Sequence, residues 1–501
     1  MENEILLNGE DLKIEDVSKV AKENVKVSIA DEAKERIEEI REFVFSKLDS
    51  DDPVYGMNRG VGENKDKVVF TDYYEEYNTN LIRSHCVAVK PEATEEEVRA
   101  VILARLNTLL VGRTGIQPAI VDMYCDFLNK EIHPIMPKRG SVGMGDITCL
   151  SHIGLAMIGE GEVIYQGERM EAQKALNEAG LEAITLGPKD GLAIVSSNAL
   201  GAGQAALALD EIDKLIELAD LIYALSLEGL KGNVSPLEEL TYKYRPYKGQ
   251  AISAERTREY LEDSYLWQPG ITRDLQDALS YRTSCQTHGA VIDALNYAKK
   301  QLKVQLNSSD DNPCVLPEED KMISCGNFEP LTWVLALEML AIGLNHLSKT
   351  SCLRTEKLSD PKFAGLSRFL TPADGQVIAY GTIQKPFASL NSEIRHLANP
   401  SSMDYQSLAG HIEDHATNSP HVVERLFKII DNIYYILGLE AMHAVQAIDL
   451  RGVSNTLGKG TKQAYELIRE EIPFVEKDRV LSTDIEKAYQ LLKNKPLLEN
   501  K

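Results

Sequence analysis

The sequence predicts a mainly α protein built on a long central helix bundle, and three observations carry that expectation. Apolar residues recur at three- and four-residue steps between Gly203 and Gly232, through Ala208, Ile212, Leu215, Ala219 and Ile222. The same pattern runs from Pro420 to Leu450, through Leu426, Ile429, Ile433 and Leu437. Strand signals are sparse and short, the clearest being Lys67 to Thr71 and Glu162 to Tyr165.

Each element follows from its own pattern. The two long stretches carry few breakers and have apolar residues on more than one face, so they are expected to bury several sides in a bundle or a subunit interface. The start of the first long helix divides the chain into a mixed N-terminal part, 1–203, and a helical-bundle part, 204–501. No internal repeat or low-complexity segment interrupts either part.

At 501 residues with 43% hydrophobic and 26% charged side chains, the chain has the composition of a globular protein with a large core. The net charge of −23 argues against a nucleic-acid partner, because a phosphate backbone would be repelled. The opening "MENEILLNGEDLKIEDVSK" has acidic residues early and no basic segment leading into an apolar core, unlike a signal peptide. No uncharged apolar run reaches the roughly 18 residues of a membrane span. Seven cysteines (Cys86, Cys125, Cys149, Cys285, Cys314, Cys325 and Cys352) include no CxxC pair, which suits reduced thiols in a cytoplasm.

Glycine, serine and asparagine concentrate in five loops: Tyr55–Gly62, Gly140–Gly145, Ser196–Gly203, Asn307–Pro313 and Gly410–His415. Each alone is a turn between helices; together they are what a site assembled from distant parts requires. Tyr55 stands beside a glycine-rich segment, where a phenol can act as a general base if neighbouring cations or donors lower its pKa. Read alone, it is a packed aromatic whose hydroxyl finds a partner.

The loops also match a known pattern in order. "YGMNRGVG", "NLIRSHCVAV", "GSVGMGDITCLSH", "GLAIVSSNALGAG", "LQDALSYRTSCQ", "SSDDNP", "SCGNFE" and "GHIEDHAT" resemble the corresponding segments of the histidine and phenylalanine ammonia-lyases. The resemblance implies a largely α-helical homotetramer of the ammonia-lyase type, with active sites shared between subunits and a small-molecule substrate.

The departures from the pattern are informative. In those lyases an Ala-Ser-Gly triplet in the GSVG loop cyclises to methylidene-imidazolone, the electrophile that captures the substrate's amino lone pair. Here Met144-Gly145 stands in its place, one residue shorter and without the serine, so no such cofactor is expected. The family's tyrosine in QDxYSL becomes Leu279, while Arg282 is kept. Its NGT asparagine falls on Ser196. A hydrophobic position before Ser392-Glu393-Ile394 becomes Lys385.

Removing the electrophile costs several kcal/mol of barrier, at about 1.4 kcal/mol per tenfold in rate. Either the protein is an inactive homologue with a binding or scaffolding role, or its substrate does not need the electrophile. A trimethylammonium has no lone pair to add to the electrophile, and it leaves as neutral trimethylamine. A base with electrostatic stabilisation then suffices. The substrate expected is an aromatic amino-acid betaine, with ergothioneine as the candidate and thiourocanate as product. An ammonia-lyase acting on histidine or another aromatic amino acid is a further alternative.

By position in the pattern, Tyr55 is the base and Arg282 the clamp for the substrate carboxylate, a geometry suited to a guanidinium fork. Lys385 would bind the carboxylate, polarise the thione or lower the pKa of Tyr55. Glu413 would face the trimethylammonium or the ring, unless it is a helix-start glutamate. His85, Ser196, Asn312, Phe328 and Met144 are the remaining substrate-binding candidates. Tyr380, with Tyr281 and Trp333, offers cation–π surface. "HIEDH" puts His411 and His415 one helical turn apart, but its glutamate is not placed as in HExxH and no distal ligand follows, so no metal site is expected. The aspartase/fumarase group, also helical, is set aside because its GSSxMPxKxN loop is missing.

Overall fold

In a computed structural model, which describes residues 4–48, 53–69, 73–271, 274–495 and 497, long helices dominate. The two stretches expected from periodicity form Ala199–Leu230 and Ser419–Arg451, joined by Ser284–Leu306 and Leu331–Leu358. Apolar residues at both 3- and 4-residue steps leave these helices buried on several sides; Ile429, Ile433 and Leu437 have no exposed surface. Each such side chain contributes about 1.5–3 kcal/mol on leaving water.

The chain forms two compact units, both discontinuous in sequence. The first comprises Met1–Asp210, Ala298–Leu337 and Pro400–Glu424, and the second Glu211–Tyr297, Glu338–Asn399 and Arg425–Lys501. The boundary expected at 203/204 thus falls at Asp210, and two later segments belong with the N-terminal part. All five polar loops lie in the first unit.

In the first unit, Glu95–Leu110 begins with a capping box: the Glu97 N–H donates to Thr94 Oγ1 and the Thr94 N–H to the Glu97 carboxylate, at 3.2 and 2.8 Å. This helix is crossed closely by the start of Ala199–Leu230. A Cβ on Gly203 would lie 2.7 Å from the Ala100 carbonyl oxygen, so only glycine permits the crossing. The sheets are small and all in this unit. Ile5–Leu7 pairs with Val27–Ile29 in parallel. Val89–Glu92 pairs with Pro137–Arg139, and Cys314–Leu316 with Lys321–Ile323, both antiparallel. Glu162–Tyr165, expected as a strand, lies between Ile132–Pro134 and Glu168–Glu171. The strand expected at Lys67–Thr71 does not form over its described part, where Val68 makes only an isolated bridge to Arg59. Phe70 and Thr71 lie outside the described residues.

The second unit is built of helices joined by turns, with no strand among its described residues. The fully buried Arg354 guanidinium pairs with Glu440 at 2.6 Å and donates to Ser284 Oγ, and Ser351 donates to the same carboxylate. A buried pair of this kind adds little net stability but fixes which helix faces meet. Two segments, Asp190–Leu230 and Leu331–Leu358, are long and apolar enough by composition to cross a membrane. The apolar window of the first is wholly buried inside the protein, as expected of a core helix.

Candidate functional site

Met144 lies half-buried on a loop held shut by side chains. Gly143 and Gly145 adopt φ of +79° and +77°, which glycine accepts without strain. The Gly145 N–H donates to Asn198 Oδ1 at 3.0 Å, and Asn198 Nδ2 donates to the Phe328 carbonyl at 2.6 Å. On the other side, Asn418 N–H donates to the Val142 carbonyl at 2.8 Å and Thr417 Oγ1 to the Gly143 carbonyl at 3.3 Å. Asp146 opens the helix Ile147–Met157 and accepts from Ser141 Oγ and the Gly201 N–H. Complete burial lifts its carboxyl to about 6.

Asn198 is fully buried and was not among the residues expected from sequence. The residue expected there, Ser196, is buried two positions earlier, its N–H closing the Asp190–Val195 helix on the Leu192 carbonyl. Behind both stands Asp310, which accepts from the Asn198 N–H at 2.8 Å, Ser197 Oγ at 2.9 Å and Gln305 Nε2 at 3.0 Å, and pairs with Arg105 at 3.2 Å. The neighbouring Asp311 pairs with Lys189 at 2.8 Å, both without exposure. The two aspartates of "SSDDNP" are thus the frame on which the loops hang. Asn312 spends its side-chain oxygen on the Cys325 N–H and Ser324 Oγ, at 2.9 and 3.1 Å. Phe328 is half-buried beside them.

The Tyr55 loop packs on Asp190–Val195: a Cβ on Gly56 would sit 2.1 Å from Leu192 Cδ2. The Tyr55 hydroxyl accepts the Gly62 N–H at 2.9 Å. Across from it runs the 408–415 segment, where a Cβ on Gly62 would come 3.9 Å from Glu413 Oε1. The structure therefore brings Tyr55 and Glu413 together. Burial raises the Tyr55 phenol above its ordinary range, the Gly62 N–H partly offsets this, and the Glu413 charge adds to it. That is opposite to the lowered pKa a base was expected to have, so the cation that would lower it must come from elsewhere. Glu413 is not at a helix start. It lies in an extended stretch bridged to Leu408, and the helix begins only at Ser419.

His85 ends the helix Tyr74–His85, and its Nδ1 lies 2.7 Å from the Leu81 carbonyl. A carbonyl only accepts, so Nδ1 carries the proton and Nε2 is the basic nitrogen of the neutral ring. His411 and His415 do not share a helix. His415 Nε2 meets the Glu329 carboxylate at 3.0 Å, and no cluster suited to a metal occurs among the described residues.

In the second unit, Arg282 ends the short helix Leu279–Arg282 and donates from Nη1 to Gln276 Oε1 at 3.0 Å. Its Nε is buried without a partner, and no carboxylate pairs with it among the described residues, so the fork remains open to an anion. Lys385 is exposed in the first turn of Gln384–Leu397, where the dipole disfavours a cation, and no carboxylate pairs with it among the described residues.

The aromatic candidates do not fit a binding surface. Tyr380 is fully enclosed, its ring 4.5 Å from that of His443. Tyr281 is equally enclosed, its hydroxyl 2.9 Å from Ser226 Oγ. In the first unit Trp333 is buried with Nε1 donating to Gln305 Oε1 at 3.2 Å. All three are core residues, with no face free for a methylated ammonium.

A family model described as aromatic amino acid lyase matches residues 12–470. Histidine ammonia-lyase from Bacillus cereus is 35% identical over 490 residues, covering 98% of this chain and 97% of that protein. Among solved structures, the ergothioneine-degrading enzyme ergothionase from Treponema denticola, in complex with desmethyl-ergothioneine sulfonic acid, is 50% identical with a TM-score of 0.97. That match covers 99% of this chain and 100% of the other. Histidine ammonia-lyase from Trypanosoma cruzi matches at 31% identity and a TM-score of 0.89, over 98% and 93% of the two chains.

Proposed function

The chain belongs to the aromatic amino acid lyase family and is a carbon–nitrogen lyase, and from that premise we propose that it eliminates trimethylamine from ergothioneine to give thiourocanate, without a built-in electrophile. The observation that carries this reading is the loop at Met144-Gly145. It lacks the serine of the Ala-Ser-Gly triplet, is one residue short, and holds its Gly145 N–H on Asn198. These residues do not fit a methylidene-imidazolone, so no step runs through one. The likeness to ergothionase supports the same substrate.

The chemistry follows from the nitrogen. A primary ammonium meets a base first through its acidic N–H protons, and the neutral amine that results is a poor leaving group. A quaternary ammonium has no such proton, so the base acts on carbon. The Tyr55 phenolate takes the β-proton, the C–H electron pair becomes the Cα=Cβ bond, and the Cα–N pair departs with neutral trimethylamine.

Burial and Glu413 both hold Tyr55 protonated in the free protein. The substrate's fixed positive charge offsets both, so binding and base activation are coupled. Glu413 then faces the ammonium, Arg282 clamps the carboxylate, and Lys385 supplies the cation for carboxylate or thione. His85, Asn312, Phe328 and Met144 border the ring.

The protein would act as a homotetramer with shared sites. Large apolar side chains left uncovered in the single chain, such as Leu275 at 92% and Met403 at 78% exposure, support an assembly that covers them. The test is to incubate purified protein with ergothioneine, hercynine, histidine and tyrosine, assaying trimethylamine, ammonia and the ultraviolet band of a conjugated acrylate. Trimethylamine from ergothioneine is expected. Ammonia from histidine, or no product from any betaine, would overturn the reading.

A further inference from the structure

The turn that carries Glu413 is tied down on both sides. On the near side the Glu413 carbonyl accepts the Leu408 N–H and the Tyr405 hydroxyl, each at 2.9 Å. Two residues on, His415 Nε2 meets the Glu329 carboxylate at 3.0 Å. A carboxylate only accepts, so Nε2 carries a proton. The backbone then turns inward: Ala416 and Thr417 are buried, and the Asn418 N–H closes on the Val142 carbonyl of the Met144 loop. Glu413 and Asp414 are left exposed between these anchors.

Glu329 reaches His415 from a fixed place. Its other oxygen accepts the Leu331 N–H at 2.9 Å, where the helix Leu331–Leu358 begins and the dipole favours a negative charge. Its own N–H donates to the Gly326 carbonyl at 3.0 Å, and the Phe328 carbonyl just before it accepts from Asn198. Forming the pair therefore orders one side chain rather than two. With 57% of the His415 side chain and 34% of the Glu329 side chain exposed, the contact adds little to overall stability. Its consequence is positional: two residues of chain span at most about 7 Å, so holding His415 confines Glu413.

We propose that Glu329 is a positioning residue for recognition of the substrate's ammonium, acting through His415 to hold the Glu413 carboxylate in place. The proposal rests on reading Glu413 as the group that faces the ammonium. It gives the last residues of "SCGNFE" and "GHIEDH" a joint role that neither segment reveals alone.

The test uses the full-length protein and two independent readouts. Hydrogen exchange of the peptide covering residues 408–415 should speed up several-fold in both Glu329→Ala and His415→Ala, while the urea midpoint moves little. His415→Ala leaves the Leu331 contact intact, so it carries the test should Glu329→Ala disturb its helix. Glu329→Gln keeps an acceptor for Leu331 and an amide for His415, and should restore most of the protection. On ergothioneine, Glu329→Ala should lower kcat/KM roughly tenfold. Introduced into Glu413→Gln it should cost less than about twofold more, because it acts only through that carboxylate. Unchanged exchange in His415→Ala, or the same fold loss in both Glu413 backgrounds, would overturn the proposal. A wild type that releases no trimethylamine would instead overturn the reading of the site, and exchange would then judge the brace by itself.

Discussion

Asn198 is the side chain on which the Met144-Gly145 loop depends most directly, and Asn198→Ala gives a calculable result. The wild-type amide accepts the buried Gly145 N–H at 3.0 Å and donates to the half-buried Phe328 carbonyl at 2.6 Å. Truncation strands the N–H, at about 1–3 kcal/mol for a buried orphan, and costs less at the carbonyl that water can reach, for a total of about 2–4 kcal/mol. Denaturant unfolding at fixed protein concentration measures this, and exchange of the peptide carrying Gly145 should speed up. Asn198→Asp sharpens the test. It keeps the acceptor for Gly145, loses the donor to Phe328, and buries a carboxylate next to the backbone N–H bonded to Asp310. Asp should therefore be worse than Ala. A variant within 0.5 kcal/mol of wild type for Ala (the ordinary scatter of about ±0.5 for neutral changes), or Asp outperforming Ala, would refute the reasoning.

Four further outcomes follow from the same structure. The Asp146 carboxyl, lifted by burial to about 6 from an ordinary value near 4, keeps its proton when folded at pH values where the unfolded chain has lost it. Its stabilising contribution is complete below the unfolded value and is lost as pH rises through the folded one. Wild type should therefore lose about 1–3 kcal/mol relative to Asp146→Asn between mildly acid and neutral pH, and a constant difference in urea midpoints would contradict this. Because Tyr55 is raised by burial and by Glu413, kcat/KM should climb with pH through the neutral range, and Glu413→Gln should move that rise to lower pH even as it slows turnover. Arg282→Lys loses the planar fork and should raise KM roughly 10–100-fold with near-native stability. Lys385→Gln removes a cation from a helix N-terminus, so stability should hold or rise by about 0.3–1 kcal/mol while kcat falls; equal loss of both would mark a structural lysine.

Much of the fold was legible because its signal is periodic. The helices at Ala199–Leu230 and Ser419–Arg451 repeat apolar residues so densely that no turn interrupts the register. The supposed loop Ser196–Gly203 shows the limit: it ends at Asn198 and the rest is helix. Gly201 and Gly203 read as loop residues by composition, yet they are glycines because Trp333 and the Ala100 backbone press on them. Direction is likewise invisible in a one-letter string. Tyr281, Tyr380 and Trp333 had the chemistry to hold an ammonium but point into the core. Tyr55 and Glu413 were legible one by one, each from its place in a short polar loop of the family pattern, but not as neighbours. Asn198 was missed because the pattern drew attention to Ser196, although an asparagine just before an apolar helical run is itself a helix-start signal. The discontinuity of the two units left no trace in composition, since it depends on contacts between segments hundreds of residues apart.

Elimination from a quaternary ammonium without an electrophile is tested most directly by treating the purified protein with borohydride, which reduces an electrophilic alkene, and then measuring trimethylamine released from ergothioneine. Full retention of activity, with one trimethylamine for each thiourocanate formed, is the predicted result. Loss of activity after the treatment would contradict it.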